Sequence, residues 1–250
     1  MIPKIIHLCW ISGDAYPKTI QMCIDSWQRM LPDYEIVLWD KQRVDSLNSR
    51  YLNGAIQNCR YAFAADFIRF YALYTYGGIY LDSDVEVLKS FDELLSLRYF
   101  IGKENSGNDW EPAIMGAEAG IPWMKDVLKQ WDYGRRNFTD IWGRPRTPVL
   151  PKVCAQRLKH YKIHDCKNIS DWQYGDEFIS RFPSDWFSPK SWETLEMNIT
   201  ENTYCIHHFA ATWYASKNSE VKLNVIQRIM KSIRSFASYI KHNIILKNKS

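Results

Sequence analysis

Two aspartates separated by a single residue, Asp82 and Asp84, are the first candidates for chemistry. Carboxylates at this spacing can hold a hard divalent cation that also binds phosphate oxygens. The motif alone is weak, because 17 aspartates in a chain of this length give about one such pair by chance. Its context is stronger: the pair follows residues 77–81, a predicted strand, and ligands in α/β sheets bind beyond the carboxyl ends of strands. The alternative is an Asx turn that holds no ligand.

Asp66 and Arg69 form the second candidate site. They are the only charged residues between Tyr61 and Leu81, and their spacing places both on one face of a predicted helix. Burying charge is costly unless the charge is paired or serves a ligand. One interpretation is a structural ion pair. The other is a carboxylate that accepts hydrogen bonds from sugar hydroxyls, beside a guanidinium that contacts hydroxyls or phosphate.

Two adjacent histidines and an early tryptophan complete the candidates. Neighbouring side chains in a strand point to opposite faces, so at most one of His207 and His208 can join the carboxylates at a metal. The other would be structural; the alternative for both is a hydrogen-bonded histidine that binds no ligand. Trp10 lies at the end of the first predicted strand, where its ring could stack on a nucleobase or fill the core.

The elements that position these residues follow a repeated order of strand, helix and strand. With 250 residues, of which 46% are hydrophobic and 24% charged, the chain can form a packed domain with a sizeable core. The order favours an α/β fold with a parallel sheet. The predicted strands are residues 3–10, 34–40, 79–81, 98–102 and 113–117, and the predicted helices are residues 17–30, 60–76, 122–131 and 151–160.

The charge is distributed unevenly along the chain. Residues 217–250 carry eight lysines and arginines against one glutamate, whereas the whole chain has a net charge of +4, so residues 1–216 are mildly acidic. An acidic body of this kind does not favour nucleic-acid binding. Residues 221–240 place seven apolar side chains on one stripe of a predicted helix. This basic helix either lies on an anionic membrane surface or packs on the rest of the domain.

The cysteines and the apolar segments indicate the compartment. Six cysteines show no paired spacing, which favours free thiols in a reducing environment. The apolar run near the start is interrupted by His7 and lacks a cleavage site, and no stretch approaches the roughly 20 apolar residues of a membrane span. We therefore expect a cytoplasmic protein. If the basic helix lies on a membrane, the protein would contact the inner membrane face peripherally through residues 221–249.

Several blocks of the chain together resemble glycosyltransferase family 32. This D-x-D group includes bacterial capsule and lipopolysaccharide sugar transferases and fungal mannosyltransferases, and the same blocks are similar to the catalytic domain of the large clostridial glucosylating toxins. The resemblance implies a GT-A fold, a Rossmann-like mixed sheet flanked by helices. Residues 1–216 would form the catalytic domain and residues 217–250 the C-terminal amphipathic helix. The blocks are residues 2–13, 27–40, 62–85, and His207-His208 with Trp213.

The resemblance also assigns roles to residues that would bind a nucleotide-sugar donor. Trp10 matches the aromatic residue that stacks on the donor base. Asp66 and Arg69 match the pair that holds the donor sugar, and Tyr80 lies near the donor. Trp213 matches a tryptophan that contacts the diphosphate.

A metal site is implied by the same resemblance, with Mn²⁺ or Mg²⁺ as the cation. Asp82 matches a carboxylate that faces ribose, sugar and metal, and Asp84 matches the direct metal ligand. His208 best matches the third ligand, by its spacing to the tryptophan that follows. The residues expected to act in catalysis are Asp66, Arg69 and Asp82.

The implied activity is a retaining, metal-dependent glycosyl transfer. A hexosyl unit would move from a nucleoside diphosphate sugar, with a UDP-sugar as the expected donor, to a polysaccharide, lipopolysaccharide or capsule precursor. The expected partners are this donor and a glycan or lipid-linked acceptor. Two alternatives are a toxin-like enzyme that glycosylates a protein and a catalytically silent module that binds nucleotide sugars or glycans. The intact charges at the candidate site disfavour the silent module.

Overall fold

The computed structural model describes residues 1–105, 110–140, 142–191 and 193–210. The helices within these ranges are α1 (Lys18–Met30), α2 (Lys41–Asp45), α3 (Arg50–Gln57), α4 (Tyr61–Tyr76), α5 (Pro122–Leu128), α6 (Leu150–Arg157) and α7 (Ser184–Phe187). The strands are β1 (Ile5–Cys9), β2 (Glu35–Trp39), β3 (Gly78–Leu81), β4 (Val85–Val87), β5 (Tyr99–Gly102), β6 (Glu111–Ala117), β7 (Lys162–Asp165), β8 (Phe178–Arg181) and β9 (Cys205–His207). The five strands and four helices expected between residues 3 and 160 are all present, with boundaries that differ by a few residues.

A five-stranded sheet in the order β2-β1-β3-β6-β5 forms the centre of the fold. Strand β1 pairs in parallel with both β2 and β3, whereas β6 runs antiparallel to β3 and to β5. The predicted mixed sheet flanked by helices is therefore confirmed. The fully parallel sheet that the strand-helix-strand order favoured holds only for the first three strands, because β5 and β6 follow one another without a crossover helix.

Two hydrophobic clusters cover the two faces of this sheet. In β3, Ile79 and Leu81 belong to one cluster, which includes α1, and Tyr80 belongs to the other, which includes α4 and α5. This alternation follows from the two-residue period of a strand. Because both faces are covered, all four residues of β3 are buried. The chain after Leu81 then emerges at the edge of the sheet, where Asp82 begins the candidate site.

Two glycines connect α4 to β3, and both adopt a positive φ. Gly77 ends the helix with φ +68°, and Gly78 starts the strand with φ +103°. The space at Gly78 is also restricted: a Cβ atom there would lie 2.7 Å from the Ile5 carbonyl oxygen. The glycine pair thus lets the buried helix turn directly into the buried strand that leads to Asp82.

We expect Gly78→Ala to lower the free energy of unfolding by about 2–4 kcal/mol, because it adds a backbone clash to a strained φ. The matched control is Gly120→Ala, where φ is +81° but nothing lies within 4 Å of the added Cβ. That control should lose only about 1–2 kcal/mol. Urea denaturation of the two variants and the parent chain measures the difference, and equal losses would contradict the packing argument.

Three expectations from the sequence concern residues outside the described ranges. They are the role of Trp213, the boundary at residue 216 and the basic amphipathic helix. Within the described part of the chain, no helix combines the length and apolar character that a membrane crossing requires.

Candidate functional site

The guanidinium of Arg69 lies between two carboxylates at the junction of α4 and β3. Its Nη2 atom is 3.1 Å from Asp66 Oδ1 and 3.2 Å from Asp82 Oδ1. Its Nη1 atom donates to Asp82 Oδ2 at 3.3 Å and to the Pro112 carbonyl at 2.8 Å. The expected pair of Asp66 and Arg69 is therefore one part of a group of three that also contains the first aspartate of the D-x-D motif. Arg69 Nε is buried and has no hydrogen-bond partner among the described residues.

Asp82 is held in place from three directions. The Tyr80 hydroxyl donates to Asp82 Oδ1 at 2.8 Å, and the Arg69 guanidinium binds both carboxylate oxygens. The Asp82 backbone N–H donates to the Ala113 carbonyl at 2.9 Å. Tyr80 itself is buried, with Arg69 above its ring at 4.9 Å. Tyr80 therefore acts on the site through its contacts with Asp82 and Arg69.

The pairing of two short strands brings Asp84 next to a histidine. Strands β4 and β9 run antiparallel, with Val85 opposite His207. His207 Nε2 lies 3.5 Å from Asp84 Oδ1, and the Ala210 N–H donates to Asp84 Oδ2 at 2.7 Å. One ligand atom from each of Asp82, Asp84 and His207 lies within 4.8 Å of the other two. The site thus combines residues that are more than 120 positions apart in the chain.

His208, the histidine predicted as third ligand, lies elsewhere. Its Nε2 atom is 2.8 Å from Glu86 Oε2, so its ring is engaged away from the two aspartates. The structure brings the ring of His207, not that of His208, to the two aspartates. Counting the spacing to a later tryptophan cannot distinguish two adjacent residues, because the alternation of side chains at the end of β9 decides which ring faces Asp84. That at most one of the two histidines binds a metal with the carboxylates stays a prediction.

The donor atoms of this cluster fit a divalent cation. Ligand atoms bound to one Mg²⁺ or Mn²⁺ lie at about 2.1–2.2 Å from the ion, and hence within about 4.4 Å of one another. The three atoms here, within 4.8 Å of one another, would need to approach by at most about 0.4 Å to hold one ion. Carboxylate oxygens with one imidazole nitrogen form a set that Mn²⁺ accepts readily. The side chains of Asp82, Asp84 and His207 are 24%, 14% and 13% exposed, which leaves the cluster open to a ligand from solvent.

The charges in the cluster shift its pKa values strongly. Burial opposes ionisation of Asp84, but the His207 ring and the Ala210 N–H lower the pKa of Asp84 to about 2. Burial raises the pKa of Asp82, with Arg69 opposing the shift and Asp84 adding to it. Burial also raises the pKa of Asp66 to about 7, against the attraction of Arg69. These carboxylates are crowded and partly desolvated, and a bound cation would relieve their mutual repulsion.

Trp10 lies at the same edge of the sheet as the aspartates. Strands β1 and β3 are parallel, with His7 opposite Tyr80, so the chain leaves both strands at one edge. The Trp10 ring packs edge-on against Tyr16 at 5.0 Å, and its Nε1–H donates to the Asp14 carbonyl at 2.8 Å. Trp10 is half-buried, not a core residue. Its position is compatible with the expected role of stacking on a base.

One buried carboxylate at the site was missed from the sequence. Glu111, at the start of β6, is only 2% exposed, and its Oε2 atom lies 3.4 Å from His207 Nδ1. A signal was present, because a lone acidic residue directly before the apolar run Pro112–Ala117 is unusual for a buried strand. The partner of that carboxylate, 96 positions away, could not be identified from the sequence.

Comparison with known proteins finds a family model over part of the chain. Residues 17–101 match the model described as "Glycosyltransferase sugar-binding region containing DXD motif". The matched range contains Asp66, Arg69, Asp82 and Asp84. These are the charged residues that the structure brings together between α4 and β4.

Individual relatives match over longer segments. An uncharacterized glycosyltransferase of Acanthamoeba polyphaga mimivirus is 31% identical over 178 residues, which are 68% of this chain and 71% of that protein. Inositol phosphoceramide mannosyltransferase 3 of Schizosaccharomyces pombe is 33% identical over 135 residues, or 51% of this chain, and the match spans only 36% of its length. Among solved structures, the PaToxG glycosyltransferase is 21% identical, with a TM-score of 0.47 over 63% of this chain and 68% of that one.

Proposed function

Since the chain belongs to the family of glycosyltransferases whose sugar-binding region contains the DXD motif, we propose that it transfers a hexosyl unit from a nucleoside diphosphate sugar with the help of a divalent cation. The observation that carries the proposal is the convergence of Asp82, Asp84 and His207 beside the Asp66–Arg69–Asp82 group. This arrangement offers a cation site and a polar site within one partly open cluster. The chemical identities of the donor and the acceptor are likewise proposals.

Asp84 and His207 are the proposed direct ligands, with Asp82 as the third ligand. When bound, the cation would neutralise the negative charge of the leaving diphosphate. The chain's own residues keep the site ready for that charge: the Ala210 N–H fixes Asp84, and Arg69 with Tyr80 fixes Asp82. Preorganised groups of this kind need no rearrangement at the moment of reaction.

Asp66 and Arg69 are proposed to hold the donor sugar. Asp66 keeps an exposed side-chain fraction of 15%, so that one face of its carboxylate can accept hydrogen bonds from sugar hydroxyls. Arg69 is almost completely buried and fixes both Asp66 and Asp82, which sets the distance between the sugar-binding carboxylate and the metal-binding one. Trp10 would stack on the donor base. Trp213, which lies outside the described residues, would contact the diphosphate.

The proposed transfer retains the anomeric configuration through attack by the acceptor hydroxyl on the face from which the diphosphate leaves. This part of the proposal rests on the resemblance of the chain to glycosyltransferase family 32. The nearby carboxylates Asp66 and Asp82 are already engaged with Arg69, which argues against either serving as a covalent nucleophile. The stereochemistry of the product, read by ¹H NMR of the released or transferred sugar, tests it.

A lipid-linked acceptor is favoured over a free polysaccharide or a protein. The support is that relatives with 28–33% identity carry names of inositol phosphoceramide mannosyltransferases. The same names make a mannosyl donor the first to test beside UDP-sugars.

The basic segment at residues 221–249 would bring the enzyme to an anionic membrane surface, at about 1 kcal/mol for each lysine or arginine. Cosedimentation of the full chain with anionic vesicles, lost on replacing those basic residues with glutamine, would support peripheral attachment to a membrane.

A thermal-shift screen identifies the donor. Nucleoside diphosphate sugars are tested one at a time, each with Mn²⁺ and with EDTA. A donor at 100 times its Kd should stabilise the fold by about 2.7 kcal/mol. Stabilisation by one sugar nucleotide only in the presence of Mn²⁺ supports the proposal, and the absence of any shift across the screen contradicts it.

The two adjacent histidines give a matched test of the metal site. We expect His207→Ala to weaken Mn²⁺ binding by at least about tenfold, because it removes one of three ligands. His208→Ala should change Mn²⁺ affinity by less than about threefold, since its ring contacts Glu86. Isothermal titration of the full chain with MnCl₂ measures both variants. The opposite order of effects would return the ligand role to His208.

A further inference from the structure

The His207 ring lies between two carboxylates, one at each nitrogen. Its Nε2 atom faces Asp84 Oδ1 at 3.5 Å, and its Nδ1 atom faces Glu111 Oε2 at 3.4 Å. Glu111 is 2% exposed, and its other oxygen accepts the Ala113 N–H at 3.1 Å. A carboxylate this deeply buried is costly without a charged or polar partner. His207 is the ionisable partner that the structure gives it.

A carboxylate that faces one ring nitrogen decides what the other nitrogen can do. An ionised glutamate can only accept hydrogen bonds, so the ring nitrogen that faces it must carry the proton. With the proton on Nδ1, the lone pair of Nε2 points toward Asp84, where a metal ligand is needed. We propose that Glu111 is a positioning residue, which fixes the orientation and tautomer of His207 so that Nε2 completes the cation site. This inference rests on the metal site of the proposed function.

The start of β6 is well placed to hold Glu111 rigidly. The three consecutive residues Glu111, Pro112 and Ala113 contact three different parts of the site. Glu111 faces His207, the Pro112 carbonyl accepts from Arg69, and the Ala113 carbonyl accepts from the Asp82 N–H. The register between β5 and β6 also shifts next to Glu111, which is paired with Gly102. Such irregularities redirect side chains near functional sites.

The neighbouring pair of His208 and Glu86 provides an internal comparison. It has the same chemistry, with 2.8 Å between His208 Nε2 and Glu86 Oε2, and both side chains are 25% exposed. His208 does not face the aspartates. Any general effect of removing a glutamate beside a histidine near β9 should therefore appear in this pair as well.

The first test measures Mn²⁺ affinity, by electron paramagnetic resonance of free Mn²⁺, in the full chain and in Glu111→Gln and Glu86→Gln. We expect Glu111→Gln to weaken binding by about 10–100-fold, as is typical when the partner of a ligating histidine is removed. Glu86→Gln should change affinity by less than about threefold. Equal affinity in Glu111→Gln and the parent chain would overturn the inference.

A double-mutant cycle separates positioning from a structural role. If Glu111 acts through the His207 ring, Glu111→Gln should cause no further loss of Mn²⁺ affinity in a His207→Ala background. A similar loss in both backgrounds would show that Glu111 supports the site without His207, and would overturn the inference.

The parent chain itself provides a further test, in which the measured protein carries no substitution and a variant serves only to assign the resonances. In ¹⁵N-histidine-labelled protein with Mg²⁺ bound, the His207 resonances, assigned by their loss in His207→Ala, should show a protonated Nδ1 and an unprotonated Nε2. A proton on Nε2 would overturn the inference.

The inference and the proposed function can fail separately. Absence of Mn²⁺ binding in the parent chain, or unchanged binding in Asp84→Asn, would overturn the metal site and this inference with it. Loss of binding in Asp84→Asn, together with full affinity in Glu111→Gln, would overturn the inference alone.

Discussion

Replacing Asp84 with asparagine is expected to lower the rate of nucleotide-sugar turnover by at least about a thousandfold. The carboxylate is the proposed direct ligand of the cation, and loss of several kcal/mol of charge stabilisation in the transition state corresponds to that factor. The fold should survive, because asparagine has nearly the same volume and its amide oxygen can still accept from the Ala210 N–H. Release of the nucleoside diphosphate at saturating Mn²⁺ measures the effect.

Asp126→Asn is the matched control for this change. Its side chain is 19% exposed, close to the 14% of Asp84, and it likewise has a basic partner, Lys129, and a hydrogen-bond donor, Tyr161. It lies outside the candidate site, so its turnover should stay within about twofold of the parent chain. Full activity in Asp84→Asn would contradict the ligand role, whatever the control shows.

The second large effect is expected at the buried guanidinium. Arg69→Met removes both ion pairs at once, which frees Asp66 and Asp82 from their shared partner. We expect turnover to fall by at least about a hundredfold, because the sugar-binding and metal-binding carboxylates lose their fixed separation. Stability should also fall by about 3–5 kcal/mol, since breaking a buried pair leaves charge uncompensated.

Arg181→Met distinguishes lost stability from lost catalysis. Arg181 is as buried as Arg69, at 8% against 7% side-chain exposure, and it pairs with Asp165 at 2.7 Å. Hydrolysis of the donor without acceptor is compared at a temperature at which circular dichroism shows all proteins folded. Arg181→Met should keep its turnover within about threefold, whereas Arg69→Met should not. Equal turnover in the two variants would reduce the Asp66–Arg69–Asp82 group to a structural role.

The parts of the site that could be predicted from the sequence are local ones. Asp66 and Arg69 lie on α4, and Asp82 and Asp84 directly follow β3, all within 19 consecutive residues in which the glycine pair marks the turn from helix to strand. Helical spacing and the end of a strand are then sufficient to place them together. The contact of Arg69 with Asp82 follows from the direct turn of α4 into β3, although only the pair with Asp66 was expected.

The parts that could not be predicted depend on strand register between distant segments. Whether His207 or His208 faces Asp84 is decided by the pairing of β4 with β9, and Glu111 reaches His207 across 96 positions of sequence. A shift of one residue in such a pairing exchanges the two faces. Helices α2 and α3 were missed for another reason: they have only five and eight residues, although Asp40 and Ser49 cap them in the expected manner.

We propose that this chain breaks the bond between a sugar and a nucleoside diphosphate at a site that needs a divalent cation. To test this, the full chain is incubated with the donor selected by thermal shift, and release of the nucleoside diphosphate is followed with Mn²⁺, with excess EDTA, and after Mn²⁺ is restored. We expect release with Mn²⁺, none with EDTA, and recovery on restoring the metal. Release at the same rate in EDTA, or no release from the bound donor under any of these conditions, would contradict it.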